Sequence, residues 1–293
     1  MSRLASALKS GEFVVTAQLN PPKGTDLTSL FGKAEMLAGV VNAFNITDSH
    51  TSRMTMAPMA VARLLLEKGV EPILQLTCRD RNRIALQADL LGACALGITN
   101  ILCMTGDDPK TGDHPDAKPV FDLEAIGLLR AVTSLQSGKD ISGHRLHGTP
   151  TFFPGAVVNP GAPELDQELR RMEQKIEAGA RFFQTQAVYD PAVFERFMNA
   201  AHTYKVPILA SHIILKSGKM AGIFNAEVPG ISIGEDLIQE IEQAKNPREK
   251  GMEIAARVIQ KVKPMCQGIH LIGAGWEARI PQILGNAGIR DLT

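Results

Sequence analysis

The chain has 293 residues, 44% of them hydrophobic and 21% charged, which is the composition of an ordinary globular protein long enough for a large core. Net charge is +0 and aromatics make up 5%, so there is no electrostatic or stacking footprint for nucleic acid or for an anionic membrane surface. Cys78, Cys94, Cys103 and Cys266 stand singly, with no Cys-x-x-Cys pair, which argues against a zinc site or a disulfide framework. A charged N-terminus and the lack of a long apolar run predict a cytoplasmic protein that does not span a membrane.

Phe13 to Leu19 is β-branched and apolar and is stopped by Pro21-Pro22, so it reads as a first strand. Asp26 to Leu37 reads as a helix. A junction then recurs at Gly39, Gly69, Gly97 and Gly179, where a glycine closes a helix and an apolar run follows within a few residues. The first three are spaced 30 and 28 residues apart, the length of one strand–loop–helix–loop unit, and predict parallel strands. Ile84, Ala88, Leu91 and Ala95 fall at helical spacing behind Asp80 as N-cap; Leu165, Leu169, Met172 and Ile176 do the same behind Pro163. Ile101 to Met104 is a short buried strand. Later strands are expected at Thr149–Pro154, Arg181–Gln186, Val206–His212 and Gly268–Ile272. Helices are expected at Leu123–Ser134, Pro191–Thr203, Gly234–Ala244 and Pro247–Val262. Eight strands alternating with helices predict a single (β/α)8 TIM barrel over 1–293, with an open doubly wound sheet as the rival.

In such a barrel the chemistry sits where each strand meets its following loop. The polar residues there are Gln18 and Asn20, Thr47 and Asp48, Gln75 and Thr77, Thr105 and Asp107, Phe153 and Asn159, then Gln184 and Gln186. Uncharged donors and acceptors with a few carboxylates suit a hydrogen-bond-rich ring system better than a sugar phosphate. Thr105-Gly106-Asp107-Asp108-Pro109 breaks strand four and opens a long polar loop to Asp122. Lys216-Ser217-Gly218-Lys219 could take a phosphate, but reads better as a solvated basic loop. Gly273-Ala274-Gly275-Trp276-Glu277-Ala278 matches G-x-G-x-x-A, yet too few residues follow for a second strand with a ribose-binding acid. It reads as a tight turn into a last helix, with Trp276 near a barrel mouth. The seven histidines have no metal spacing, no Gly-x-Ser-x-Gly turn marks an acyl-transfer nucleophile, and Cys103 reads as core.

Several segments together resemble the methylenetetrahydrofolate reductase family. They are Val15 to Lys23, Asn45-Ile46-Thr47-Asp48, Leu76-Thr77-Cys78-Arg79-Asp80, Met104-Thr105-Gly106-Asp107, Lys175 to Ala180 and Gln184-Thr185-Gln186. The likeness runs in order over nearly the whole chain. Thr77 to Asn82 and Gly275-Trp276-Glu277 look most like the bacterial branch found in anaerobe one-carbon metabolism. The resemblance implies an FAD-containing barrel, FMN being the less expected flavin. It implies that electrons pass from NADH or NADPH to 5,10-methylenetetrahydrofolate, giving 5-methyltetrahydrofolate for one-carbon metabolism and methionine biosynthesis. It also implies a homo-oligomer or hetero-complex, with a small Cys-rich partner subunit in that branch. By resemblance, Asp107 faces the flavin and stabilises the folate iminium, and Thr105 and Gly106 touch the ring. Thr47, Gln75, Phe153 and Asn159 are flavin contacts, Lys175 reaches the flavin phosphates, and Gln186 hydrogen-bonds the pterin. The family often has arginine where Thr105 stands and histidine where Gln75 stands. Gln18 stands where the family carries a glutamate thought to protonate the folate; an amide can hold the pterin but cannot act as an acid.

Overall fold

In the computed structural model, which describes residues 1–228 and 230–289, eight parallel strands close into a barrel in sequence order. They are β1 (Val14–Leu19), β2 (Ala43–Ile46), β3 (Pro72–Thr77), β4 (Asn100–Met104), β5 (Phe153–Val158), β6 (Phe182–Ala187), β7 (Ile208–Ile213) and β8 (Gly268–Ile272). β1 closes the ring on β8, pairing Val14 with Gly268 and Leu271 with Ala17. Eleven helices are found among the described residues: α1 (Arg3–Ser10), α2 (Thr28–Leu37), α3 (Pro58–Glu67), α4 (Arg83–Ala95), α5 (Ala125–Gln136), α6 (Leu165–Glu177), α7 (Pro191–Ala201), α8 (Gly218–Glu227), α9 (Glu235–Glu242), α10 (Pro247–Val262) and α11 (Ile280–Asn286). None of them is long and apolar enough to cross a membrane.

The expected junction glycines do cap helices: Gly39, Gly69, Gly97 and Gly179 have φ of 80°, 74°, 82° and 118°. β8 and α10 have the bounds expected from sequence, while β5 starts four residues later than expected. Strand alternation sorts the residues. Val15, Ala17, Leu19, Phe44, Ile46, Leu74, Leu76, Ile101 and Cys103 belong to the large core between sheet and helices. Val14, Ala43, Ile73, Leu102, Phe182 and Leu209 form a second apolar cluster inside the barrel. Cys103 is fully buried and its thiol pKa is pushed up by that burial, as suits a core side chain.

Two expectations about α4 fail. Asn82, not Asp80, is its N-cap, accepting from the Ile84 and Ala85 amides at 3.1 and 3.0 Å. Asp80 instead neutralises the buried Arg79 guanidinium at 2.7 Å. Leu86, Leu90 and Ala93 face the core, whereas Ile84 is 74% exposed and Leu91 38% exposed. The helix carries two apolar stripes, and the one pairing two leucines is the one that packs inward.

No helix is expected from the sequence ahead of β1, yet α1 forms there: Ser2 accepts from the Ala5 amide and Gly11 ends the helix at φ 80°. Leu4, Ala7 and Leu8 join the cluster inside the barrel, so α1 plugs its N-terminal mouth. Glu71 fixes this plug. Its carboxylate accepts from the amides of Arg3 and Leu4, from Arg3 Nε and from Asn100 Nδ2, all at 2.8–3.1 Å. A carboxylate at the first amides of a helix also suits the helix dipole.

Candidate active site at the C-terminal mouth

Along each inward line of residues, polarity rises toward the strands' C-terminal ends. β1 runs Val14, Thr16, Gln18; β2 runs Ala43, Asn45, Thr47; β3 runs Ile73, Gln75, Thr77; β6 runs Phe182, Gln184, Gln186. In the middle layer Asn45 and Gln184 exchange two amide hydrogen bonds across the barrel, at 2.5 and 3.1 Å. Thr16 Oγ1 and His270 Nδ1 share another at 2.9 Å. Burial pushes the His270 pKa down to about 3, so this layer is neutral at physiological pH.

Above that layer, Asn20 joins two predicted residues. Its Oδ1 accepts from Gln18 Nε2 at 3.0 Å and from Thr47 Oγ1 at 3.1 Å. With its NH2 directed at Asn20, the Gln18 amide has its Oε1 left for a ligand donor. Gln18, Thr47 and Gln75 are all buried, and Gln186 is half-buried at the same end. Asn20 is among the strand-end polar residues expected from the sequence, and its spacing of two from Gln18 is the signal for its role here.

The β4 exit carries Thr105, Gly106 and Asp107. Gly106 sits at φ 95°, with its α-carbon packed so that an added Cβ would lie 3.0 Å from Thr77 and 3.1 Å from Arg79. This combination of left-handed backbone and close packing requires glycine. Thr105 Oγ1 accepts from the Ala125 amide at 3.3 Å and so caps α5, whose own N-cap, Glu124, makes no side-chain capping bond. The Asp107 side chain is solvent-exposed at the rim. A cavity of about 420 Å³ opens at Thr105, walled by Phe121, Leu123 and Gly127 and edged by Asp122, Glu124 and Arg130. Its volume is within the usual range for small-molecule sites.

The loops around this mouth are tied together by ions. Asp48, almost fully buried, accepts from the Thr77 amide and hydroxyl at 2.9 and 2.8 Å and from both Arg81 terminal nitrogens at 2.8 and 3.3 Å. Asp113 binds Lys23, the Met54 amide and His114, so three strand-end loops meet on one carboxylate. The Lys23 hydrogen bond, then the Met54 amide, hold its pKa far below the usual carboxylate range. The Arg83 hydrogen bond likewise lowers the Asp122 pKa to about 2.

One predicted residue is not brought to this mouth. Phe153 is the first residue of β5, at the plugged end, stacked on Phe182 with ring centroids 5.1 Å apart. The four-residue shift of β5 moved it away, and it cannot be a flavin contact at the opposite mouth. Lys175 is buried on α6 and donates to the carbonyl of Val157, near the C-terminal end of β5, at 2.6 Å; burial lowers its pKa, and its ammonium keeps two further N–H donors. Asn159 does lie just past β5 at the correct end, where its Oδ1 accepts from the Gly161 amide at 3.0 Å. The basic loop after β7 is more ordered than expected. Ser217 caps α8, and Lys216 donates to the Ala274 carbonyl and lies 5.5 Å from the Trp276 ring centroid. The Gly273 turn does lead into α11, as expected.

The chain is 25% identical to methylenetetrahydrofolate reductase 2 of Schizosaccharomyces pombe, over 98% of this chain and 47% of that protein. It is 25% identical to a probable methylenetetrahydrofolate reductase (NADH) of Oryza sativa, over 99% of this chain and 50% of that one. It thus spans about half the length of these curated relatives. Among solved structures, an uncharacterised protein from Clostridium thermocellum that binds two copies of 5-methyl-5,6,7,8-tetrahydrofolic acid superposes with a TM-score of 0.68 at 15% identity, covering 98% of this chain and 97% of that one; at this identity the likeness is one of fold. The family model for methylenetetrahydrofolate reductase matches residues 3–288, and the chain belongs to that family.

Proposed function

We propose that this chain reduces 5,10-methylenetetrahydrofolate to 5-methyltetrahydrofolate at the C-terminal mouth, with FAD as the resident flavin and NADH or NADPH as electron source. The observation that carries the reading is the amide-lined mouth beside Asp107, in a chain whose family match runs nearly end to end. The apolar walls of the cavity at Thr105 suit one face of a planar ring, and the buried Gln18, Thr47 and Gln75 supply neutral hydrogen-bonding groups from the barrel strands. Thr47, Gln75, Thr105 and the Gly106 backbone would hold that ring, with Asn159 beneath its side chain. When bound, FAD supplies the hydride.

The chain's own residues prepare the folate. Gln186 would fix the pterin by hydrogen bonds, and Gln18, oriented by Asn20, would accept from a pterin N–H through its Oε1. When the methylene bridge leaves folate N10, positive charge develops at N5, and the Asp107 carboxylate stabilises it. Removing one such oriented group typically costs about 100- to 1,000-fold in rate. The relative from Clostridium thermocellum, which binds a reduced folate within the same fold, is consistent with folate as ligand.

A second reading is favoured by Gln18. Because its amide supplies no proton, the chain could be a folate- and flavin-binding subunit that turns over only with a partner, such as a small Cys-rich protein. One experiment separates the two. The purified chain is loaded with FAD and assayed alone with NADH and with NADPH, and product is quantified. Turnover by the chain alone excludes the partner-dependent reading; flavin and folate binding without turnover supports it. Absence of both bindings would overturn the proposal.

A further inference from the structure

Three neighbouring strand exits converge on one buried cation. Arg79, just past β3, is 3% exposed. Its Nε and Nη2 donate to the Asp80 carboxylate at 2.7–3.0 Å, which neutralises the charge. That leaves Nη1 for the turn after β2, where it donates to the Ser49 carbonyl at 3.3 Å and to Ser52 Oγ at 3.2 Å. Ser52 is itself buried, and its hydroxyl passes the contact on by donating to the Asp107 carbonyl at 3.1 Å, at the β4 exit. A guanidinium can only donate and a carbonyl can only accept, so the Ser52 O–H points at Asp107.

The backbone around this relay is held from several sides. Ser49, Thr51 and Ser52 have φ of 49°, 52° and 54°, a left-handed run that non-glycine residues keep only where their surroundings impose it. Ser49 and Ser52 are the members of that run bonded to Arg79. A Cβ on Gly112 would collide with the Ser52 carbonyl, so the chain beyond Asp107 packs flat against the same turn. On the other side of Asp107, Gly106 is packed against the β-carbons of Thr77 and Arg79. The loop after β4 also starts and finishes on the β3 exit: the Cys78 amide donates to the Thr105 carbonyl at 3.1 Å and the Val120 amide to the Arg79 carbonyl at 2.7 Å. The Asp107 side chain is exposed, so its carboxylate is located by the backbone beneath it.

We propose that Arg79 and Ser52 are positioning residues of folate reduction: the guanidinium orients the Ser52 hydroxyl, and the hydroxyl holds the Asp107 backbone so that its carboxylate meets the charge developing at folate N5. This inference rests on the function proposed above. Arginine suits the role where lysine would not. Its planar fork serves Asp80 through two nitrogens and the turn through the third, whereas an ammonium offers its donors from a single atom. Both residues act through Asp107, and a small displacement of that carboxylate is how their loss reaches the chemistry.

The test uses the full chain as Ser52→Ala, Arg79→Lys, Asp107→Asn and the double variant of Ser52→Ala with Asp107→Asn. In the FAD-loaded proteins, flavin reoxidation by 5,10-methylenetetrahydrofolate should slow about 10-fold in Ser52→Ala and in Arg79→Lys, since a misplacement of about 1 Å costs roughly 100-fold. Flavin reduction by NADH and folate affinity should stay within about twofold. In the double variant, Ser52→Ala should add less than about twofold to the loss caused by Asp107→Asn, because the carboxylate it positions is gone. A second readout needs neither flavin nor folate. In NMR spectra of the flavin-free chain, the Asp108 amide nitrogen, which shares a peptide unit with the Asp107 carbonyl, should shift in Ser52→Ala and in Arg79→Lys. A Ser52→Ala rate within about twofold of wild type, losses that multiply in the double variant, or an unmoved Asp108 signal overturns the assignment. If Arg79→Lys does not fold, Ser52→Ala decides alone. If the wild type neither binds flavin nor reacts with the folate, the underlying function fails instead, and the Asp108 signal still shows whether Arg79 and Ser52 hold the Asp107 backbone.

Discussion

The two mouths of this barrel are built from the same strands and do opposite jobs. At the N-terminal end, Val14, Ala43, Ile73, Phe182 and Leu209 meet the leucines of α1, and Glu71 holds the plug in place. Two inward residues further along, the same strands present Gln18, Thr47, Thr77 and Gln186. Burying each leucine of the plug contributes roughly 1.5–3 kcal/mol, whereas a buried amide contributes little net stability and costs more if left unpaired. The protein thus places its stability at one end and leaves hydrogen-bonding capacity at the other. A substitution at the plugged end should change folding and spare ligands, and one at the open end should do the reverse.

The largest contrast is expected from Asp107→Asn. It removes an exposed carboxylate, so thermal stability should change by less than about 0.5 kcal/mol. Folate reduction should slow about 100- to 1,000-fold, while flavin reduction by NADH changes far less. Stopped-flow of the two half-reactions checks this, and equal losses in both would refute the role given to Asp107. Glu71→Ala is the mirror case. Truncating a buried carboxylate with four donors should cost about 3–5 kcal/mol in denaturant unfolding, with folate and flavin affinity of the folded protein unchanged. Loss of ligand affinity in that variant would mean that the two ends are coupled.

A pH effect tests the neutral interior between the mouths. Burial pushes the pKa of His270 down to about 3 and that of His212 to about 4, from an ordinary 6.5. The unfolded chain therefore binds these protons more tightly than the folded one. The stability from keeping both rings neutral is fully present above about pH 6.5 and is lost as pH falls from there toward 4. Unfolding free energy should drop by a few kcal/mol over that window, measured by denaturant titration; a flat profile would contradict the burial of these rings. The smallest effect is expected from Gln18→Glu. If a missing acid limits turnover, the folate half-reaction should quicken, by about 10-fold at most because Asn20 must turn its amide to face the new carboxylate. An unchanged or slower rate argues that the proton comes from elsewhere.

Much of this division was legible in the sequence. The recurring junction glycines marked the helix ends, and the residues just before each loop gave Gln18, Thr47, Gln75 and Gln186 at the correct end. β5 was misjudged because Thr149 to Pro154 carries β-branched and aromatic residues, while the observed strand contains Pro154 and Gly155. Gly155 lies where a Cβ would collide with the Phe182 ring, a packing demand that no local propensity encodes. That error carried Phe153 to the wrong mouth. α1 was overlooked because eight residues with two leucines make a weak periodic signal; only the barrel gives them something to cover. The Asp48–Arg81 and Asp113–Lys23 pairs each join loops far apart in sequence, and the left-handed turn at Ser49, Thr51 and Ser52 has no signature in residue types.

The most direct test of the account is anaerobic mixing of the flavin-loaded, pre-reduced protein with 5,10-methylenetetrahydrofolate, followed by the return of oxidised-flavin absorbance. The account predicts reoxidation with one 5-methyltetrahydrofolate formed per flavin. A protein that takes up flavin and stays reduced in the presence of the folate would contradict it.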